Sequence, residues 1–157
     1  RFREQRIVLG FPDILFRPRF AVATMLGHQT ATDADVVLGL MPSDNPSKAD
    51  MVELDATGSI QRFHIKPRET DLLYTWVLAT WKPSFTAFFE SFLGDVGPNP
   101  PESLLAAGEL QVSTIIDAAM KAGLHVEGVT FPEGAYLDIG TPEDLARARL
   151  DPAPWFL

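Results

Sequence analysis

Two stretches of this sequence are apolar at consecutive positions over the length of a strand. Asp35 to Met41 reads D-V-V-L-G-L-M, and Leu73 to Trp81 is apolar on both parities, with Leu73, Thr75, Val77 and Ala79 on one and Tyr74, Trp76 and Leu78 on the other. A strand with one wet face alternates, whereas a run apolar on both parities must be covered on both sides. That demand excludes a simple two-layer arrangement and calls for helices on the faces of a central sheet. The chain has 157 residues and is 46% hydrophobic, enough for one domain with a real core.

The remaining segments fit the same plan. Arg6 to Gly10 reads as a short buried strand, followed by a loop from Phe11 to Phe16. Arg17 to Thr30 reads as a helix with Pro18 in its first turn. Pro42 to Ala49 is loop. Met51–Asp55 and Ser59–Ile65 form a hairpin around the turn Asp55-Ala56-Thr57-Gly58. Phe85, Phe88, Phe89, Phe92 and Leu93 fall at helical spacing after Ser84 as the expected cap. Core packing, not a ligand groove, accounts for such a stripe.

Gly94 to Glu102 reads as loop, and Ser113 as the cap of a helix carrying Ile115, Ile116, Ala119 and Met120, stopped at Gly123. His125–Phe131 and Ala135–Asp138 are strands. Thr141-Pro142-Glu143-Asp144 opens the last helix with a cap, a proline at its first position and acids in its first turn. The tail from Asp151 to Pro154 is not helical. The class is α/β with a mixed sheet flanked by helices, in a single domain spanning residues 1–157 with 151–157 as tail.

Charge and composition remove several functions. Thirteen Lys and Arg against 21 Asp and Glu give a formal charge of −8, which argues against a nucleic-acid surface or a polybasic membrane anchor. With no cysteine there is no disulfide framework, thiolate zinc site or cysteine nucleophile. No apolar run reaches membrane-span length, so cytosol is the expected compartment. His28, His64 and His125 lack metal-ligand spacing, and there is no G-x-S-x-G elbow, Walker A motif or G-x-G-x-x-G.

What remains is a set of polar residues at strand ends: Asp13, Lys66, Glu109 and Asp138. Ligands of open α/β sheets gather at the carboxyl ends of strands, so these four are candidates to converge. Each also has a plain structural reading: a turn residue, a solvated lysine, a helix-entry acid and a loop cap.

Four segments in order, Gly10 to Phe16, Asp55 to Pro67, Gly108 to Val112 and Tyr136 to Leu145, resemble those of the sugar-1-phosphate nucleotidyltransferases, the glucose-1-phosphate thymidylyltransferase and uridylyltransferase group. Gly10-Phe11-Pro12-Asp13-Ile14-Leu15-Phe16 is similar to the family's L-G-D-x-x-F segment. Asp55 to Gly58 with Phe63-His64-Ile65-Lys66-Pro67 is similar to its D-x-x-G-x-V-x-x-F-x-E-K-P hairpin. Gly108-Glu109-Leu110-Gln111-Val112 resembles G-E-L-E-I, and Tyr136 to Leu145 resembles W-x-D-x-G-T-P-E-x-L.

The resemblance implies a nucleotide-diphospho-sugar transferase-like fold, with a nucleoside triphosphate and a sugar-1-phosphate as substrates and Mg²⁺ as cofactor. It makes Asp13 and Asp138 the metal carboxylates and Lys66 the residue holding the sugar phosphate. Pro12, Thr75, Trp76 and Glu109 lie beside the substrate, with Glu109 receiving sugar hydroxyls. Ile65 stands where the family has glutamate, and Trp76 where it has glycine, which implies altered sugar recognition. The family's glycine-rich G-x-G-x-R loop precedes the first of these segments. The expectation is therefore that this chain is the C-terminal part of a catalytic domain.

Two other readings stay open. One is a non-catalytic module of the same type that binds sugar nucleotides. The other is a glycosyltransferase of similar fold using Asp33-Ala34-Asp35, an acid pair that precedes a strand instead of ending one. Homo-oligomerisation is also left open.

Overall fold

The structure, a computed structural model, describes residues 3–105 and 108–150. In chain order the elements are β1 (Ile7–Gly10), β2 (Ile14–Arg17), α1 (Ala21–Thr32), β3 (Val36–Pro42), β4 (Asp50–Leu54), β5 (Ile60–Ile65), β6 (Tyr74–Trp81), α2 (Pro83–Val96), α3 (Val112–Lys121), β7 (Val126–Thr130), β8 (Ala135–Asp138) and α4 (Pro142–Leu150). Single 3₁₀ turns fall at Pro46–Lys48 and Glu102–Leu104.

The two strands apolar on both parities are the centre of the sheet. The order is β5-β4-β6-β3-β7, with β3 antiparallel to β6 and parallel to β7. On its other side β6 has two partners in succession, β4 at Tyr74 and Thr75 and β1 from Leu78 to Trp81. One face is packed by Phe85 of α2 and by Ile115, Ile116 and Ala119 of α3 against Val36, Leu38, Leu40, Trp76 and Ala79. The other is packed by Ala21 and Met25 of α1, with Ile14, Phe16 and Tyr136 of a separate β2–β8 ribbon, against Val37, Met41, Val77 and Leu78. The mixed α/β class expected from the sequence is the one observed. No helix among the described residues is long and apolar enough to cross a membrane.

Several local expectations are corrected. The segment Ile14–Arg17 is not loop and helix start but strand, laddered to β8 from Ile14↔Asp138 to Arg17↔Ala135. The residue before a proline is biased toward extended backbone, and β8 supplies the hydrogen-bond partners. Helix α1 therefore begins at Ala21, beyond Pro18. Strand β1 is half-exposed, not buried, with Val8 46% exposed.

Ser84 does not cap α2. Lys82 takes that position with Pro83 first in the helix, and the Ser84 hydroxyl donates to Asp35 Oδ1. Ser113 does not cap α3 either; Gln111 does, and Ser113 is buried inside the helix. Helix α2 runs on to Val96, into the expected loop, and Gly97 (φ 67°) closes it by donating to the Leu93 carbonyl. The Asp55–Gly58 turn is as expected, with Gly58 at φ 86°. Thr141 also does what its sequence implies, its Oγ1 accepting from the Asp144 amide at 3.1 Å. The tail from Asp151 lies outside the described residues.

Candidate active site

The β2–β8 ladder brings together two acids 125 residues apart. Ile14 pairs with Asp138, so Asp13 sits one residue before the ladder begins, and the Ile139 amide donates to the Asp13 carbonyl at 2.8 Å. The chain then turns at Gly140, whose amide donates to Asp138 Oδ1 at 2.8 Å. A Cβ on Gly140 would lie 2.9 Å from Asp13 Oδ2 and 3.0 Å from Asp138 Oδ1. The two carboxylates thus flank a single Cα, and glycine leaves the space between them open.

These acids form one wall of a cleft of about 390 Å³ that Lys48, Asp50, Lys66, Thr75, Trp76, Tyr136 and Arg147 also line. Lys66 ends the β5 hairpin strand at φ 43°, a left-handed conformation that a lysine adopts only where its surroundings impose it. Neither Lys48 nor Lys66 has an ion pair among the described residues. Arg147 is held by Asp144 at 3.0 Å, and Asp144 in turn accepts from the Thr141 hydroxyl at 2.9 Å.

Trp76, in the same lining, is held in a fixed position. Its Nε1 donates to Ser113 Oγ at 2.8 Å, Ser113 Oγ donates to Asp50 Oδ2 at 2.5 Å, and the Phe11 ring lies 5.5 Å from the indole. Thr75 Oγ1 donates to the Asp50 carbonyl at 2.8 Å, tying β6 to the first residue of β4. The Tyr136 hydroxyl shares a 2.8 Å hydrogen bond with Ser43. Burial pushes that phenol above its ordinary range, helped by the nearby charges of Asp44 and Asp138, so at neutral pH it is uncharged.

Of the residues singled out in the sequence, Asp13, Lys66, Thr75, Trp76 and Asp138 line this one cleft. Pro12 and Glu109 are exposed and not among its lining residues. Asp50, Lys48, Tyr136 and Arg147 were missed. For Asp50 the hairpin carried a signal, because its register sets Asp50 opposite Ile65, the neighbour of Lys66. His28 and His125 both contact Glu127, far from these residues in the sheet, and His64 pairs with Glu53 at 2.7 Å.

Among the described residues no group of three or more histidines and carboxylates could hold a metal. The pair Asp13 and Asp138 is a different kind of donor set. Magnesium takes one or two carboxylates and completes its shell with phosphate oxygens and water, so two acids flanking an open glycine fit that ion.

No protein-family model and no curated protein matches the sequence. Solved structures do match. They include a protein described as a glucose-1-phosphate thymidylyltransferase from Bacillus anthracis, in complex with sucrose (TM-score 0.70, 18% identity, 94% of this chain and 54% of that one). Another is a UTP-bound UGPase from Acinetobacter baumannii (TM-score 0.70, 15% identity, 95% and 51%), and a third is a UDP-glucose pyrophosphorylase from the same organism (0.69, 16%, 94% and 50%). The chain spans about half the length of these structures. Its fold is that of the sugar-1-phosphate nucleotidyltransferases, as the four segments led us to expect.

Proposed function

We propose that this chain contributes the acceptor and metal side of a nucleotidyltransferase site, joining a nucleoside triphosphate to a sugar-1-phosphate. A phosphate oxygen of the sugar phosphate attacks the α-phosphorus, the bond from that phosphorus to the bridging oxygen of the β-phosphate breaks, and pyrophosphate leaves. Both reactants are anions, so the work of such a site is charge neutralisation and alignment. The observation that carries the reading is the convergence of Asp13 and Asp138 on Gly140 in a cleft that also holds two lysines without an ion pair among the described residues.

Asp13 and Asp138 would hold Mg²⁺, which would supply positive charge to offset that of the phosphates. Lys66, set in its left-handed conformation at the end of β5, takes the charge of the sugar phosphate. Lys48, at the end of the 3₁₀ turn Pro46–Lys48, adds a second positive charge to the same lining. The protonated Tyr136 hydroxyl and the Trp76 wall shape the space between them. The roles of Pro12 and Glu109 rest on the resemblance alone.

A second reading, a non-catalytic module that binds sugar nucleotides, is favoured by Trp76 and Ile65, the departures in the sugar half of the site. Mg²⁺-dependent pyrophosphate release by the whole protein that contains this chain decides between them, measured over a panel of nucleoside triphosphates and sugar phosphates. Asp13→Asn and Asp138→Asn are each expected to lower the rate by 100-fold or more. Full activity in Asp138→Asn would sink the metal assignment, and no release from any substrate pair would favour the binding module.

A further inference from the structure

We propose that the substrate part lying against Trp76 carries a protonated amine, making the acceptor a phosphorylated amino sugar and not a neutral hexose phosphate. This rests on the nucleotidyltransferase reading above and deepens it.

Trp76 is only 7% exposed and cannot swing away without leaving its indole N–H buried and unpaired, because Ser113 is its partner. The wall is therefore permanent. Asp50 lines the same cleft and is linked to Trp76 through Ser113. Its Oδ2 accepts from Ser113, while its Oδ1 is buried without a hydrogen-bond partner. No lysine, arginine or histidine among the described residues pairs with it. An uncompensated carboxylate in a protein wall is costly and is retained only where something offsets it.

Lys48 and Lys66 line the same cleft but do not reach Asp50, which leaves them for phosphate. Two aromatic rings, Phe11 and Trp76, and a further acid, Asp44, also line this cleft. Carboxylate charge and aromatic surface together recognise a cation. An ammonium group gains from this field without touching the buried oxygen, because Coulomb attraction outreaches a hydrogen bond. A neutral hydroxyl has no such gain.

The test uses the whole protein with glucosamine 1-phosphate, glucose 1-phosphate and N-acetylglucosamine 1-phosphate as probes, at a pH where the free amine is protonated. Affinity is measured by calorimetry, and kcat/KM by pyrophosphate release. The free amine is expected to bind at least 10-fold more tightly than either neutral sugar. In Asp50→Asn, which keeps the side-chain shape and an acceptor for Ser113, that ratio is expected to fall to about 1.

Equal or weaker binding of the amine in the unaltered protein overturns the proposal, as does a preference that survives in Asp50→Asn. The comparison in the unaltered protein stands even if the variant does not fold. Failure to bind any of the three also overturns it. A protein that binds the amine selectively yet releases no pyrophosphate with any nucleotide refutes the transferase reading alone.

Discussion

Replacing Gly140 by alanine tests the geometry of the acid pair with one methyl group. The new Cβ would stand 2.9 Å from Asp13 Oδ2 and 3.0 Å from Asp138 Oδ1, where ordinary contact begins at 3.4 Å. Gly140 does not use the positive-φ region, so alanine meets no backbone penalty there. The whole effect is steric, and it falls on two exposed side chains that can turn aside. Stability should therefore change by less than about 1 kcal/mol. Function should not escape so lightly.

The carboxylates must retreat by 0.5 and 0.4 Å to restore contact. Asp138 Oδ1 would also strain its 2.8 Å hydrogen bond from the Gly140 amide. Misplacement of reacting groups on the ångström scale costs on the order of 100-fold, so a loss of roughly 10- to 100-fold in Mg²⁺-dependent rate is expected. The assay is a Mg²⁺ titration of pyrophosphate release, paired with thermal unfolding and with Mn²⁺ binding followed by magnetic resonance. A variant with unaltered Mn²⁺ affinity and rate would show that Asp13 and Asp138 do not share an ion.

Three further outcomes follow from contacts elsewhere. Ser113→Ala leaves both the Trp76 indole N–H and Asp50 Oδ2 without their partner, so denaturant unfolding should report a loss of about 2–4 kcal/mol; a loss under 1 would mean the relay is not formed. Lys66→Gly releases a left-handed non-glycine residue, so stability should hold or rise by up to about 1 kcal/mol while KM for the sugar phosphate climbs at least 10-fold; a clear fall in stability would contradict it. Asp55 is held below its ordinary range first by the Thr57 hydroxyl and then by the Ser59 and Thr57 amides, so its stabilisation is present above that range and is lost as pH falls through its lowered value. Asp55→Asn should flatten the acid limb of the stability profile below the ordinary carboxylate range, and an unchanged limb would remove Asp55 from that role.

How much of this was legible in the sequence depends on how far each residue's partners lie along the chain. The central strands were readable because burial on both faces leaves a local mark. So was the Thr141 cap, whose partner Asp144 is three residues away. Strand β2 was not, because Ile14–Arg17 is made a strand only by β8, more than a hundred residues downstream. Helix α1 was placed too early for a related reason. Its buried positions Ala21, Met25 and Gln29 form a narrow stripe that contains a glutamine. That glutamine spends its amide on the Ala34, Asp35 and Thr80 carbonyls, which no periodicity foretells. Ser113 looked like a cap because serine at a helix start usually is one; its actual partners are 37 and 63 residues away.

The same logic explains why the Trp76 side of the cleft was harder to read than the acid pair. Along β6, Thr80 faces Val37, Ala79 faces Leu38 and Leu78 faces Gly39, but Leu40 then faces Trp76, so Val77 is an extra residue in the ladder. A bulge of this kind reverses the parity of everything before it. Trp76 therefore shares the α2 and α3 face with Ala79, although the two are three positions apart, while Val77 joins Leu78 on the α1 face. In a strand that alternates, such a reversal would show as a break in pattern. Here both parities are apolar, and the break is silent. Without it Trp76 would face α1, away from Ser113, and the relay to Asp50 could not form. The cleft wall that departs most from the family's glycine is thus set by a one-residue insertion in the ladder, a feature that only the paired strands reveal.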